Sequence, residues 1–540
     1  LGCGASFRPF AAREIVWRDD DTIPFAGPPP VNPNYWMSDQ VDNVIFRQAS
    51  QALLYERHRE AVDVNALDEV PDSTWFTNRL SRSPMSLDDL RRGACAHAEP
   101  PPPPYVVIHG KETGTSPGAL IRGSDGQTYL LKTDFWQPER GTAADVIGTR
   151  ITYAAGYDTP CNLLALVREE DFQIAPDARR VSHSTEPYTP ELLHTLLEAA
   201  GSGPDGTRRV SLSMYLPGRP LGGFDFEGLR EADPNDVIPH QHRRELRGFY
   251  VLSAWMNHID ARAENNFDRW IETSPGHGYI QHTILDVGDS FGIRWDIDVD
   301  DAESRRFGNA HYFDIEQIVG DLLTLGIADR AYRDAVRGPA YPILGYYDVE
   351  RFVPDQWRNG YPNASFERRT EADCAWMARI IAHFDEPSVR AIVETGRFSA
   401  ELTTNELVRI LMGRRERILE RYLVRLSPLS APSIEGDRLC LHDVAVEAGL
   451  RAEDTREYSA RRFEGLPPRA VPGVLAVSRD ASGVCVPLPA AGSAPYHVLD
   501  VFAGSAGREH SHPARVHLRE TSPGTFTIVG LERPDSDDSL

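Results

Sequence analysis

Apolar positions follow no sustained period through the first hundred residues of the chain, where prolines break the pattern. Gly27-Pro28-Pro29-Pro30 and Pro100 to Pro104 bracket a segment with helical spacing over Val41 to His58. The run of prolines predicts a stiff extended spacer and therefore a boundary. From Tyr105 the period shortens. Tyr105-Val-Val-Ile108 predicts a strand, and Ala119 to Arg122, a Gly123-Ser-Asp-Gly126 turn and Thr128 to Lys132 predict a β-hairpin. Ala143, Val146, Ile147 and Ile151 then share a helical face within Thr142 to Ala155, and Gly156 stops it. Strands are expected at 162–168 and 209–216, with a polar insertion between them at about 170–208. Gln241 to His258 is apolar nearly all round (Leu246, Phe249, Tyr250, Leu252, Trp255, Met256), which predicts a buried helix.

Beyond that helix, short strands are expected at Phe267 to Ile271 and Tyr279 to Leu285. Residues 310–425 read as mostly helical, most clearly Glu406 to Arg425, until Pro428 and Pro432. The last hundred residues return to strands, at Val474 to Val477, Val484 to Leu488, Tyr496 to Phe502, Arg515 to Leu518 and Phe526 to Leu531. That spacing predicts a small module of β-sandwich type. The fold class is α+β. The expected division is 1–104 (extension and linker), 105–216, 217–430 and 431–540.

Composition narrows the function. The net charge of −23 excludes a nucleic-acid binder, which needs a basic face to displace counterions. No 18-residue apolar run is present, so no membrane-spanning helix is expected. The six cysteines show no metal-ligand spacing. Of the 57 basic residues only Lys111 and Lys132 are lysines, and both fall in the predicted hairpin region. A lysine is a compact, mobile point charge that arginine does not replace.

Three short patterns carry chemistry. After the buried helix comes His258-Ile-Asp260-Ala-Arg-Ala-Glu-Asn265: a carboxylate able to orient a hydroxyl, and, five residues on, an amide oxygen able to hold a metal on phosphates. Thr283-Ile-Leu-Asp286-Val-Gly288 puts a second carboxylate at a strand tip with a glycine to turn the chain. Tyr129-Leu-Leu-Lys132 ends a strand after a tight hairpin. A carboxylate on the next helix would partner the lysine; Asp145 is the best-placed candidate and Glu139 the alternative. Lys111-Glu-Thr-Gly114-Thr-Ser-Pro-Gly118 can present backbone amides to phosphate. Asp296-x-Asp298-x-Asp300-Asp301 lacks the glycine and closing glutamate of a calcium loop. His109, His240 and His242 lack metal spacing, and Ser213, Ser253 and Ser290 lack a nucleophile-elbow context. Trp75 and Phe76 are expected to pack the N-terminal segment onto the core.

In this order of parts, residues 105–425 resemble the atypical protein-kinase-like superfamily, its bacterial HipA-like and secreted-kinase-like branches above all. The resemblance implies a two-lobed core (lobes 105–216 and 217–430) that binds ATP and Mg2+. Lys132 would fix the nucleotide phosphates, with Lys111, Gly114, Gly118 and Asp145 completing the nucleotide site. Asp260 would be the catalytic base, and Asn265 and Asp286 the metal ligands. The expected activity is phosphoryl transfer to a protein hydroxyl; the alternative is a pseudokinase-type binding module. Three features depart from the family pattern: no GxGxxG in the first hairpin, Val287 in place of phenylalanine, and no APE-type segment. Leu1-Gly2-Cys3 resembles the tail of a bacterial lipobox, which implies a lipid anchor at Cys3, a place in the cell envelope (periplasm or outer surface), and with it a Cys440–Cys485 disulfide.

Overall fold

The computed structural model describes residues 9–32, 59–112, 116–134, 137–294, 302–325, 327, 330–505 and 512–535. Cys3, the helical spacing at 41–58, Gly114 and the acidic run from Asp296 to Asp301 lie outside the described residues.

The first large sheet has its centre where alternation is cleanest. Its strands are β1 (Tyr105–Gly110), β2 (Gly118–Arg122), β3 (Thr128–Thr133), β4 (Asn162–Val167), β5 (Phe172–Arg179) and β6 (Arg208–Met214), in the order β4-β6-β3-β2-β1-β5. The hairpin β2–β3 turns at Gly126, whose φ is +80°. Alternate residues on one face, among them Val107, Ile121, Leu131, Leu163 and Leu212, form a single apolar cluster. The stretch expected to be a polar insertion is instead part of this unit. β5 pairs in parallel with β1, and a helix at Pro190–Glu198 buries Leu193, Leu196 and Leu197. Its strand is amphipathic only over Phe172, Ile174 and Ala178, too few positions to stand out from the polar residues around them.

Helix α1 (Gly141–Ala155) follows β3 and is buried along nearly its whole length. Asp134 caps its start, accepting the Thr142 amide at 2.9 Å and the Thr142 hydroxyl at 2.7 Å. The apolar face of α1 joins the main core, which is centred on α2 (Arg244–Met256) with α3 (Glu371–Ala382), α4 (Glu386–Glu394) and α5 (Glu401–Ile418) around it. α2 is buried throughout, as its sequence predicts. Residues 310–363, expected to be helical, are mostly turns: among the described residues within them only Ile315–Leu323 is an α-helix. Gly338, Gly345, Gly360 and four prolines interrupt the period there.

Between α2 and these helices lies the hairpin β7 (Asn266–Ser274) and β8 (His277–Ile284), paired antiparallel with Phe267 opposite Thr283. The Trp75 segment packs onto it: the Trp75 ring stacks on His282 at 3.4 Å between centroids. The C-terminal residues form two antiparallel sheets around one apolar core, in which Leu439, Leu441 and Val484 meet Leu499, Val501 and Val516. Val474 to Val477 is irregular; the strand begins at Ser478. Leu429–Glu435, Arg438–Asp443 and Arg456–Glu464 are strands that the sequence pattern did not reveal. Asp68 ties the units together, accepting from Arg244 of α2 and, at 2.7 Å, from Arg533 of the C-terminal module.

Candidate functional site

Lys132 is the last but one residue of β3. Alternation sends Leu131 into the sheet's core and Lys132 to the opposite face, toward α1. The side chain is only 8% exposed, so it is not a solvated strand end. Its Nζ lies 3.6 Å from Asp145 Oδ1 and 3.3 Å from Asp286 Oδ2. Three separate elements therefore converge on one ammonium: a strand end, the second turn of α1, and the loop after β8. Of the two acids considered as partner, the structure selects Asp145. Glu139 turns away and accepts the Ser399 amide at 3.1 Å.

The electrostatics are those of a buried cluster. Burial alone would lower the Lys132 pKa, but Asp145 and then Asp286 outweigh it and raise it. Burial raises Asp145 despite Lys132, which opposes it. Asp286 goes the other way: burial would raise it, but Lys132, the Gly288 amide and Lys111 hold it below the usual carboxylate range. Asp145 is fully buried and held by an amide that the sequence reading missed, since Asn162 at the start of β4 donates to its Oδ1 at 2.9 Å. Asp286 is the open member, with about a third of its side chain exposed (35%).

Lys111, the other lysine, ends beside the same cluster. Its Nζ donates to Ser116 O at 2.9 Å and Ser116 Oγ at 2.6 Å. Burial pulls its pKa down to about 8, and the nearby Lys132 ammonium adds to that effect. Gly118 pairs directly with Lys132 across the hairpin, where a Cβ would collide with the Leu131 carbonyl.

The loop after α2 brings in the remaining residues. α2 ends on Asn257 with φ +55°, whose Oδ1 accepts from the Trp357 indole at 2.8 Å. The loop backbone is then clamped by residues 359–363: Ala261 N donates to Asn359 Oδ1 at 3.2 Å and Gly360 N to Ile259 O at 2.7 Å. Asn265 donates its amide to Asp260 O at 2.7 Å and Asp260 Oδ2 at 2.8 Å. That orientation leaves the Asn265 Oδ1 with no hydrogen bond from the described residues. Leu285 N donates to Asn265 O at 2.9 Å, which sets Asp286 beside Asn265. Asp260 Oδ1 accepts from Arg262 Nε at 2.9 Å. Arg262, between the two motif positions, was not singled out by sequence. Neither was Asp289, which lies close enough to raise Lys132 further and whose carbonyl accepts from Ile259 N at 3.2 Å. A second acid three residues after Asp286 was the available signal for Asp289.

Val287 explains one departure from the expected pattern. It is fully buried and rests on α1 at Gly148, where a Cβ would fall 2.9 Å from the valine Cγ2. A small residue on the helix and a short one in the loop together let Asp286 reach Lys132.

Among the described residues, no group of three or more His, Cys, Asp or Glu side chains is set to hold a metal unaided. Asp286 and Asn265, tied through the Leu285 N–Asn265 O backbone bond, both carry hard oxygen donors. That set suits a divalent cation whose remaining ligands are phosphate oxygens and water.

No family model matches the chain, and no curated protein is significantly similar to it. Among solved structures, the chain is loosely similar to the Helicobacter pylori proinflammatory kinase CtkA, at 12% identity and a TM-score of 0.30, over 58% of this chain and 92% of that one. It is similarly related to the Golgi casein kinase with Mn/ADP bound, at 12% identity and a TM-score of 0.23, over 73% and 91% of the two chains. Overlap at this level decides neither fold nor reaction, and the side chains around Lys132 carry the functional reading.

Proposed function

We propose that this chain is a kinase-like phosphotransferase that uses ATP with a divalent cation, Mg2+ by preference, and transfers the terminal phosphoryl group to a protein hydroxyl. The observation that carries the proposal is the Lys132 ammonium held 3.6 Å from Asp145 and 3.3 Å from Asp286, from three elements far apart in sequence. Asp145 and Asn162 fix the lysine so that it presents a pre-positioned charge to phosphate oxygens. Lys111, with Gly114 and Gly118 in its loop, adds a second contact to the nucleotide. Asp286 and Asn265 would hold the metal, which supplies charge neutralisation on the phosphates when bound. Asp260 accepts the proton of, or orients, the acceptor hydroxyl. The sheet at 105–216 and the helical residues 217–430 serve as the two lobes of this core, with the N-terminal extension and C-terminal module attached.

A second reading has its own observation. Both oxygens of Asp260 are engaged, by Arg262 and by Asn265. A base so occupied favours a pseudokinase-type module that binds nucleotide without turnover. Magnesium-dependent release or transfer of the terminal phosphate separates the two. On the first reading it is present and falls at least about a hundredfold in Asp260→Asn; its absence in the wild-type protein, with nucleotide binding retained, establishes the second.

Two disulfides, Cys95–Cys161 and Cys440–Cys485, support an oxidising compartment and hence the cell envelope, with Cys3 as lipid anchor. Cys95–Cys161 was not foreseen; it joins the segment before the proline run to the residue preceding Asn162.

A further inference from the structure

A cavity of about 100 Å3 lies in the helical half of the molecule, well above the roughly 10–15 Å3 that admits one water. Its wall includes Asn257, Tyr346, Asp348 and three arginines, Arg305, Arg351 and Arg414. Arg414 projects from α5 and is 5% exposed. Its guanidinium lies over the rings of Phe352 at 3.8 Å and Tyr347 at 4.4 Å. It makes no ion pair among the described residues, and its buried Nε has no hydrogen-bond partner. A desolvated guanidinium whose nearby carboxylate, Asp348, is already paired with Arg351 is costly, and stacking on two rings offsets only part of that cost.

The remaining charges do not neutralise it. Asp348 is committed to Arg351, accepting from its Nε at 2.9 Å and also from its Nη2. Arg305 is held by the Tyr346 hydroxyl and the Arg333 carbonyl, both at 3.3 Å and both neutral. Three guanidinium charges, on Arg305, Arg351 and Arg414, thus stand against one carboxylate, Asp348, in the cavity wall.

We propose that this cavity is a binding site for a phosphate dianion, either free inorganic phosphate or the phosphate of a phosphorylated side chain. A wall with two more guanidinium charges than carboxylates complements a doubly charged oxyanion, and planar N–H donors suit its oxygens. The site is separate from the Lys132 cluster and stands whether or not that cluster transfers phosphate. It does share a wall with the loop bearing Asp260, since Asn257 lies three residues before it.

The test is titration calorimetry with inorganic phosphate and, separately, a phosphoserine peptide, using full-length Lys132→Met protein so that the nucleotide site does not contribute. Saturable binding of one equivalent is expected. It should weaken about tenfold or more in Arg305→Gln, which lies at the partly exposed rim, and in Arg414→Met, which keeps the stacked volume. Stronger binding of the peptide assigns the phosphorylated side chain; equal or stronger binding of inorganic phosphate assigns the free anion. No binding of either probe, or binding that Arg305→Gln leaves unchanged, overturns the proposal, and Arg305→Gln keeps the test decisive if Arg414→Met fails to fold.

Discussion

Replacing Lys132 with methionine removes the ammonium that lies within 3.6 Å of two carboxylates. At an effective dielectric of about 20, each contact at 3.6 and 3.3 Å corresponds to ~5 kcal/mol of Coulomb attraction before desolvation is counted. Asp286 is partly exposed and recovers water when the ammonium leaves. Asp145 is fully buried and does not. Removing one partner of a buried pair costs about 3–5 kcal/mol because the other charge is stranded. Lys132→Met should therefore lower the opening free energy of β3 and α1 by about that amount, read by native-state hydrogen exchange of amides in 128–155. The double variant Lys132→Met/Asp145→Asn should recover more than half of the loss. The pH dependence has a definite sign. The folded-state pKa of Asp145 is already raised by burial and rises further without Lys132. Such a carboxyl contributes stability that is complete below its unfolded pKa and is lost as pH rises through the folded value. The Lys132→Met deficit should therefore shrink on acidification. A single variant within about 0.5 kcal/mol of wild type, or a double variant no better than the single, would refute the idea that the ammonium holds a buried carboxylate.

Three further outcomes are expected. Lys111 has its pKa pulled to about 8 in the free site, so a bound phosphate must reprotonate it above that pH. Nucleotide affinity should fall as pH rises past about 8, by up to about tenfold per unit, and Lys111→Arg should flatten the profile; a flat wild-type profile excludes Lys111 from the phosphate site. Gly148→Ala should press on Val287, cost about 1–3 kcal/mol and weaken nucleotide binding, with Val287→Ala as a suppressor; unchanged affinity in Gly148→Ala would show that the two chains tolerate closer approach. Cys440 and Cys485 close a loop with sequence separation 45, so replacing both by serine should destabilise the C-terminal module by about 2–4 kcal/mol in thermal melts, and an unchanged melt would contradict this.

Much of the central sheet was legible because short apolar runs stand out from turn residues: Ala119–Ile121 in β2 and Tyr129–Leu131 in β3 flank the Gly123-Ser-Asp-Gly126 turn. Helix α2 was legible because it is apolar all round. β5 was not, since a parallel edge strand with few apolar positions carries little pattern. The irregular chain at 310–363 was misread because apolar residues recur there without a period that prolines and glycines leave intact. The motifs singled out Lys132, Asp260, Asn265 and Asp286, and the helix after β3 offered Asp145; the structure brings Lys132, Asp145 and Asp286 within ion-pair distance. The residues that sequence could not reach act through space. Asn162 meets Asp145 only because β4 follows α1 back across the sheet. Arg414 meets its cavity only because α5 crosses the chain near Tyr347 and Phe352.

The most direct test of the phosphate-and-metal site is calorimetric titration of ATP with and without magnesium into wild-type and Asp286→Asn protein. Magnesium should tighten ATP binding to the wild type by about tenfold or more, and Asp286→Asn should abolish that gain while still binding ATP alone. Equal affinity with and without magnesium in the wild type, or a gain that Asp286→Asn retains, would contradict the account.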